Sequence, residues 1–362
     1  MKRFAILLAL LALLPMTPAL ARPAPAHAAL VNAPRILPQP HPVAFPADTF
    51  AHPDVGIEWW YFVGHLADDA GHTYGFETTF FRFGGLRRYG SPFDTLYRTD
   101  VAVTDEAGHR FHHAITYTPS LPPVTVASTT TLSLRAGLLD ISTLGPLRYH
   151  IHGAMPDGQV DLAAASRRPP MLVDGGYTGW GTGYTYYYSL THMTTTGTLT
   201  LGARRIPVHG VVWNDHQWGD MGGSSVKGWD WMALRLSDGT DMSLVNERPA
   251  TAPYATWAQA LLPDNTQRFV RQAIITPLST WKSAASGVTY PAAWRVRVPR
   301  LKLDVVVRPT VADQEMTDTG FLGFRKSYWE GSCTVTGTRD GRPVSGKAYT
   351  ELTGYDTPTN AP

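Results

Sequence analysis

The sequence predicts an all-β protein made of two similar antiparallel β domains, and three observations carry that prediction. Runs of strand length, rich in aromatic and β-branched residues, recur along the chain between Asp-, Gly- and Pro-containing turn signals. No apolar pattern of helical period competes with them. One hairpin also occurs twice: residues 58–82 and 229–247 share the order aromatic strand, Asp/Gly turn, returning strand, the mark of an internal repeat.

Met1-Lys2-Arg3 precedes an apolar run at residues 4–14 and small residues ending Ala19-Leu20-Ala21. Residues 1–21 are therefore expected to be a secretory signal peptide, with cleavage after Ala21 or near Ala28, and the protein is expected to be exported. The run is short for a membrane span and no later segment approaches one, so no transmembrane segment is expected after signal removal. Residues 22–54 are rich in Pro and Ala with little periodicity and read as an extended arm.

The N-terminal β domain is placed at residues 55–182. Its first hairpin joins Glu58-Trp59-Trp60-Tyr61-Phe62-Val63-Gly64-His65-Leu66 through Asp68-Asp69-Ala70-Gly71 to residues 74–82. Further strands are expected at 97–103, 109–117, 129–134, 147–153 and 159–164, and the Gly- and aromatic-rich residues 173–185 are expected to cross between domains near 183. The C-terminal β domain, residues 183–362, opens with Tyr186-Tyr187-Tyr188. It then repeats the hairpin with residues 229–236, the turn Ser237-Asp238-Gly239, and residues 242–247. Placing Trp231 on Trp60 brings Leu236 near Leu66 and Glu247 onto Glu77. Strands are expected at 255–262, 268–275, 293–298, 302–308, 328–337 and 344–353.

With 362 residues, 43% hydrophobic and 17% charged, the chain can bury a large core. Its formal net charge of +2, without a Lys/Arg cluster, argues against nucleic acid as a partner. Cys333 is the single cysteine, so no intrachain disulfide forms, and its alternation with Val335 suggests a buried structural thiol.

The stretch with the most chemistry is Trp213-Asn214-Asp215-His216-Gln217-Trp218-Gly219-Asp220. A histidine moves protons near neutral pH, and a neighbouring carboxylate can fix its tautomer. Side chains alternate on a strand, so Asp215 and His216 cooperate only across a bend, which Gly219 could supply. The alternative is a strand end at which Asp and His cap backbone groups while the Trp residues fill a core. By alternation Glu58 shares a face with Trp60, Phe62 and Leu66, and Asp230 with Met232, Leu234 and Leu236. A carboxyl on such a face should have a raised pKa and could serve as a general acid. Its structural alternative is satisfaction by backbone amides or by an Arg such as Arg82, Arg235 or Arg248.

Glu58-Trp59-Trp60-Tyr61, Tyr74-Gly75-Phe76 with Thr79-Phe80-Phe81-Arg82, Tyr187-Tyr188-Ser189, residues 213–219, Gly228-Trp229-Asp230-Trp231 and Glu351-Leu352-Thr353-Gly354-Tyr355 resemble the AttH/CrtC family. That family includes carotenoid 1,2-hydratases, fungal kievitone hydratase and lipocalin-like pericyclases, and the resemblance spans about residues 45–356. It implies two lipocalin-like barrels packed side by side. It also implies that His216 and Trp218, with Asp215, act beside nearby acids. Where the hydratases carry polar catalytic residues after the Gly-Trp-Asp-Trp hairpin, this chain has Met242-Ser243-Leu244-Val245, which departs from carotenoid hydration, as does export.

Two functions follow. In the first, a hydro-lyase or isomerase protonates a C=C bond of an apolar isoprenoid-, lipid- or polyketide-like molecule. Asp230 or Glu58 is then the acid, Asp215 and His216 handle water, and Trp218 and Trp229 stabilise the cation. In the second, the protein carries an apolar ligand without reaction. The walls expected for either are Trp60, Tyr187, Trp213, Trp218, Trp229, Trp231 and Glu247. No cofactor is expected. His112-His113 and His150-x-His152 have no third ligand nearby in sequence, so no metal is expected either.

Overall fold

The structure, a computed structural model, describes residues 40–221, 226–249, 255–321 and 327–356. The expected signal peptide and most of the arm lie outside the described residues.

The described chain is almost wholly β. The first strands are β1 (Ile57–Ala67), β2 (Thr73–Phe83), β3 (Leu96–Asp105), β4 (Arg110–Pro119), β5 (Val126–Ala127) and β6 (Ser133–Ala136). They are followed by β7 (Leu139–Gly145), β8 (Arg148–Met155), β9 (Gly158–Ser166), β10 (Met171–Trp180), β11 (Gly183–Leu201) and β12 (Arg204–Asp220). These form one antiparallel sheet in the order β4-β3-β2-β1-β12-β11-β9-β8-β7-β6-β5, with β10 alongside β11. The second sheet begins with β13 (Val226–Leu236), β14 (Asp241–Pro249), β15 (Ala255–Leu261), β16 (Gln267–Val270) and β17 (Ile274–Lys282). It is completed by β18 (Thr289–Val298), β19 (Leu303–Pro309), β20 (Glu315–Met316), β21 (Tyr328–Arg339) and β22 (Arg342–Leu352). Its order is β16-β15-β14-β13-β22-β21-β19-β18-β17, with β20 alongside β21.

The order of the second sheet matches that of the first from β4 to β7, and the first adds β6 and β5 beyond it. In each sheet the first strand pairs with the last, and an extra strand lies on the penultimate one. The repeat read from one hairpin therefore extends over the whole of the second sheet and all but β5 and β6 of the first. Its alignment shifts by one residue. Trp60 packs into the first core with Phe62 and Leu66, whereas Trp231 packs between the sheets with Tyr61 and Val63. Trp231 thus corresponds to Tyr61, because a slip of one residue exchanges strand faces. Glu247 likewise lies opposite Trp229, while Glu77 lies opposite Val63.

The sheet changes between Asp220 and Val226. The crossing expected near residue 183 is instead a tight hairpin, with Trp180 paired to Gly183. Gly175 and Gly176, at φ +80° and +98°, sit in the irregular stretch between Leu172 and Tyr177. Glycine there allows a bulge within a strand, and this is why the segment looks like a linker in sequence. Strands 139–145 and 274–282 were also not expected.

Each sheet curls around its own core as a half-barrel. Trp60, Phe62, Phe80, Leu134, Ile151 and Trp218 belong to the first core, and Met232, Leu234, Trp294, Val305 and Trp329 to the second. A third cluster joins the sheets: Tyr61, Val63, Tyr187 and Trp213 meet Trp231, Ala233, Val245 and Tyr349. β1 is buried along nearly its whole length because one face enters a core and the other enters this seam. Truncating a buried Trp typically costs about 3–5 kcal/mol, so informative tests of function here alter polar groups and leave the aromatic walls intact. Among the described residues no helix is long and apolar enough to cross a membrane.

Candidate functional site

β12 pairs with β1 without interruption from Ile57↔Gly219 to Ala67↔His209, so no bend separates Asp215 from His216. Their side chains take opposite faces of the sheet. Gly219 serves another need: a Cβ there would lie 2.3 Å from the Tyr184 carbonyl oxygen, so the strands approach at a distance only glycine permits. The expected Asp215–His216 partnership does not exist. The sequence-derived residues divide among three places instead.

The first place is a narrow cleft between the sheets, about 30 Å³ in volume, which holds Tyr187, Asp215, Trp229 and Trp231. Trp59, Tyr61, Phe81, Trp180, Gln217 and Glu351 complete most of its wall. The Tyr187 hydroxyl donates to Asp215 Oδ2, and Trp213 Nε1 donates to Asp215 Oδ1 at 2.6 Å. Trp231 Nε1 in turn donates to the Tyr187 hydroxyl at 3.0 Å, which fixes the phenol between an indole and the carboxylate. Burial pushes the Asp215 pKa up to about 7 despite these donors. From the second sheet Glu351 Oε2 accepts from Trp229 Nε1 at 3.0 Å. Trp180, from the Gly-rich hairpin, shares this cleft with Asp215, which brings residues 175–183 and 213–220 together.

The second place lies on the other face of β12, toward the first core. There Glu58 Oε1 is 2.9 Å from His216 Nε2 and 2.7 Å from His52 Nδ1. Both outer ring nitrogens meet Asp48: His216 Nδ1 is 3.0 Å from its carbonyl oxygen, and His52 Nε2 is 3.4 Å from its carboxylate. His216 stacks on Trp60 and His52 on Trp218, with ring centroids 4.5 Å and 4.3 Å apart. Burial alone would raise the Glu58 pKa, but hydrogen bonds from the two imidazoles outweigh it and hold the carboxyl below its ordinary value. This corrects the expectation of a raised acid. Against its own burial, His52 is lifted to about 9 by Asp48 and Glu58, whereas burial takes His216 below its ordinary value.

The third place is the interior face of β13. Asp230 accepts from Arg248, from the Tyr355 hydroxyl at 2.9 Å and from Asn246 Nδ2 at 3.1 Å. Both carboxylate oxygens are thus partnered, the arrangement of the structural alternative through Arg248. Glu247 lies on the seam face of β14, where burial raises its pKa to about 7, but it does not line the cleft.

Sequence reasoning missed His52 and Asp48, which lie in an arm without periodicity. It also missed a group of seam carboxyls. Tyr61 donates to Glu330 Oε1 at 2.5 Å, while Glu330 Oε2 and Glu77 Oε2, both buried, have no hydrogen-bond partner among the described residues. Burial, aided by Glu351 and Glu77, drives the Glu330 pKa well above its usual range; burial and Asp100 do the same for Glu77. Of the expected histidine pairs, His150-x-His152 lies toward the surface, while His113 of the other is half-buried against Thr317 at 2.9 Å. His150 and His152 both lean on Asp161, at 3.1 and 3.6 Å, and His112 meets Asp157 at 2.5 Å. Cys333 is fully buried, and burial raises its thiol to about 12.

Fold and cleft define a protein of two curled, lipocalin-like half-barrels with an aromatic cleft between them. The chain belongs to the AttH-like family, whose model matches residues 37–355. It is similar to the structure of an AttH-type protein from Nitrosomonas europaea, with 28% identity, 87% of this chain and 98% of that chain covered, and a TM-score of 0.76. Kievitone hydratase from Nectria haematococca aligns at 19% identity over 86% of this chain and 92% of its own, with a TM-score of 0.71. CghA, in complex with Sch210972, aligns at 14% identity over 85% and 94%, with a TM-score of 0.53. At these lower identities the likeness is one of fold. No curated protein sequence matches the chain.

Proposed function

We propose that the protein is an exported hydratase or isomerase that binds an apolar isoprenoid-, lipid- or polyketide-like molecule in the cleft between its sheets. The observation that carries this reading is the composition of the cleft: aromatic rings from both sheets surround Asp215, a carboxyl fixed by Tyr187 and Trp213. Apolar walls bind a hydrocarbon by excluding water, and a few placed polar groups orient it. Asp215 gives a proton to one alkene carbon, and the other carbon becomes cationic against the ring faces of Trp59, Trp229 and Trp231. Water adds to that carbon and passes its extra proton to Glu351; transfer of a neighbouring C–H proton to Glu351 instead gives the isomer. The kievitone hydratase fold supports the hydration branch, and the run at residues 4–14 supports export.

Native mass spectrometry of the protein from its own host should reveal a copurifying apolar molecule. With that molecule as substrate, Asp215→Asn should lower turnover by roughly 10²- to 10⁴-fold and leave uptake intact. Undiminished turnover would remove Asp215 from the chemistry, and uptake without turnover by the wild type would leave a carrier.

A further inference from the structure

The cluster on the opposite face of β12 is separate from the cleft and independent of the reaction proposed there. Its geometry poses a problem of lone pairs. Two imidazole nitrogens, His52 Nδ1 and His216 Nε2, converge on one carboxylate oxygen, Glu58 Oε1, at 2.7 and 2.9 Å. Each ring's other nitrogen faces an oxygen of Asp48 that can only accept when ionised or, for the carbonyl, always. His216 Nδ1 is also 3.3 Å from the Tyr188 hydroxyl. With the outer nitrogens protonated, the inner ones reach Glu58 either as imidazolium donors or, once those protons leave, as lone pairs facing an anion. Three lone pairs pointed at one spot in a buried pocket need positive charge between them.

That arrangement is also the donor set of a metal centre. Neutral imidazoles whose far N–H groups are held by a carboxylate or a backbone carbonyl are the usual supporting contacts of metal-bound histidines. Here one residue, Asp48, holds both rings, and Asp48 is itself anchored by the Ala44 amide at 2.7 Å. Trp60 and Trp218 fix the ring planes by stacking. The three donor atoms lie within 4.8 Å of one another.

We infer that His52, Glu58 and His216 bind a divalent first-row transition ion of the zinc type. A divalent ion supplies that positive charge once the inner ring nitrogens are free of protons. Ligands about 2.1 Å from a tetrahedral ion lie roughly 3.4 Å apart, so the donors must spread by about half an ångström. His52 can retreat: its side chain is 21% exposed, while those of Glu58 and His216 are at 0%. The ion enters from that side, and a water fills its fourth position. Once bound, it clasps the segment carrying Asp48 and His52 to β1 and β12.

Zinc titration of the chelator-stripped full chain tests the site, with proton release followed by calorimetry in buffers of different ionisation enthalpy. One ion per chain should bind, with release of protons, because ligating histidines give up their protons to a metal. Bound zinc should raise the unfolding temperature. His52→Ala, altering the most exposed ligand, should fold and weaken binding about 100-fold or more, while the double variant His150→Ala/His152→Ala should bind as the wild type does. Absence of binding to folded wild-type protein would overturn the inference. So would binding that survives His52→Ala, or binding that disappears with the surface pair. Because no step uses Asp215, Asp215→Asn should bind zinc normally whether or not the cleft is catalytic.

Discussion

Glu58 and Glu330 are both at 0% exposure, yet their pKa values move in opposite directions. Burial raises both. Glu58 has two imidazoles within hydrogen-bond reach, and their contacts reverse the effect. Glu330 has a phenol on one oxygen, no partner among the described residues on the other, and the like charges of Glu351 and Glu77 nearby, so its desolvation stands uncorrected and is enlarged. Partners, more than depth, decide what a buried carboxyl is for. The first arrangement holds charge and suits a cation; the second holds protons in the seam beside the cleft.

The largest expected effect comes from removing the shared acceptor of the first arrangement. Glu58→Gln leaves the histidines facing an amide that cannot balance their charge, and breaking a buried ion pair from one side typically costs about 3–5 kcal/mol. Chemical unfolding at pH 6 measures this. The pH profile gives a second readout. A depressed carboxyl contributes stability that is present above its unfolded pKa and lost as pH falls through the folded value, so the wild type should weaken on the acid side and Glu58→Gln should not. His52, raised to about 9, contributes below its unfolded value near 6.5 and loses that contribution as pH rises toward about 9. A variant as stable as the wild type would mean that Glu58 forms no ion pair with the histidines.

Asp230 offers a smaller test of the same idea, because its ion pair is reinforced by a phenol and an amide and Arg248 remains partly exposed. Asp230→Asn should cost about 1–3 kcal/mol in thermal unfolding and leave turnover in the surviving folded protein unchanged. Loss of turnover at full stability would return Asp230 to the chemistry.

Strand faces were legible in the sequence because alternation needs only neighbours: Glu58 does face the first core with Trp60, and Asp230 the second with Met232. The structural role open to Asp230 through Arg248 was legible for the same reason, since both sit on one hairpin. What could not be read were meetings across distance. Asp48 reaches His216 over 168 residues, and Tyr61 reaches Glu330 over 269. No spacing rule links such pairs; only the order in which the strands join the sheets does. The Asp215–His216 motif misled because adjacency in sequence is separation across a flat strand.

The smallest expected effect concerns the second arrangement and has the opposite sign. The folded pKa of Glu330 lies above its unfolded value, so the folded state holds a proton that the unfolded chain releases. Its contribution is therefore complete below about pH 4.5 and is lost as pH rises beyond it. A glutamine keeps the acceptor for Tyr61 and has no proton to lose. Glu330→Gln should unfold within about 1 kcal/mol of the wild type at pH 4.5, where the wild-type residue is neutral too. Above that pH the wild type should fall progressively behind the variant, and the gap measured by urea unfolding should widen at each step toward alkaline conditions. Parallel profiles would show that Glu330 is ionised in the fold, and the contrast with Glu58 would then rest on something other than protonation.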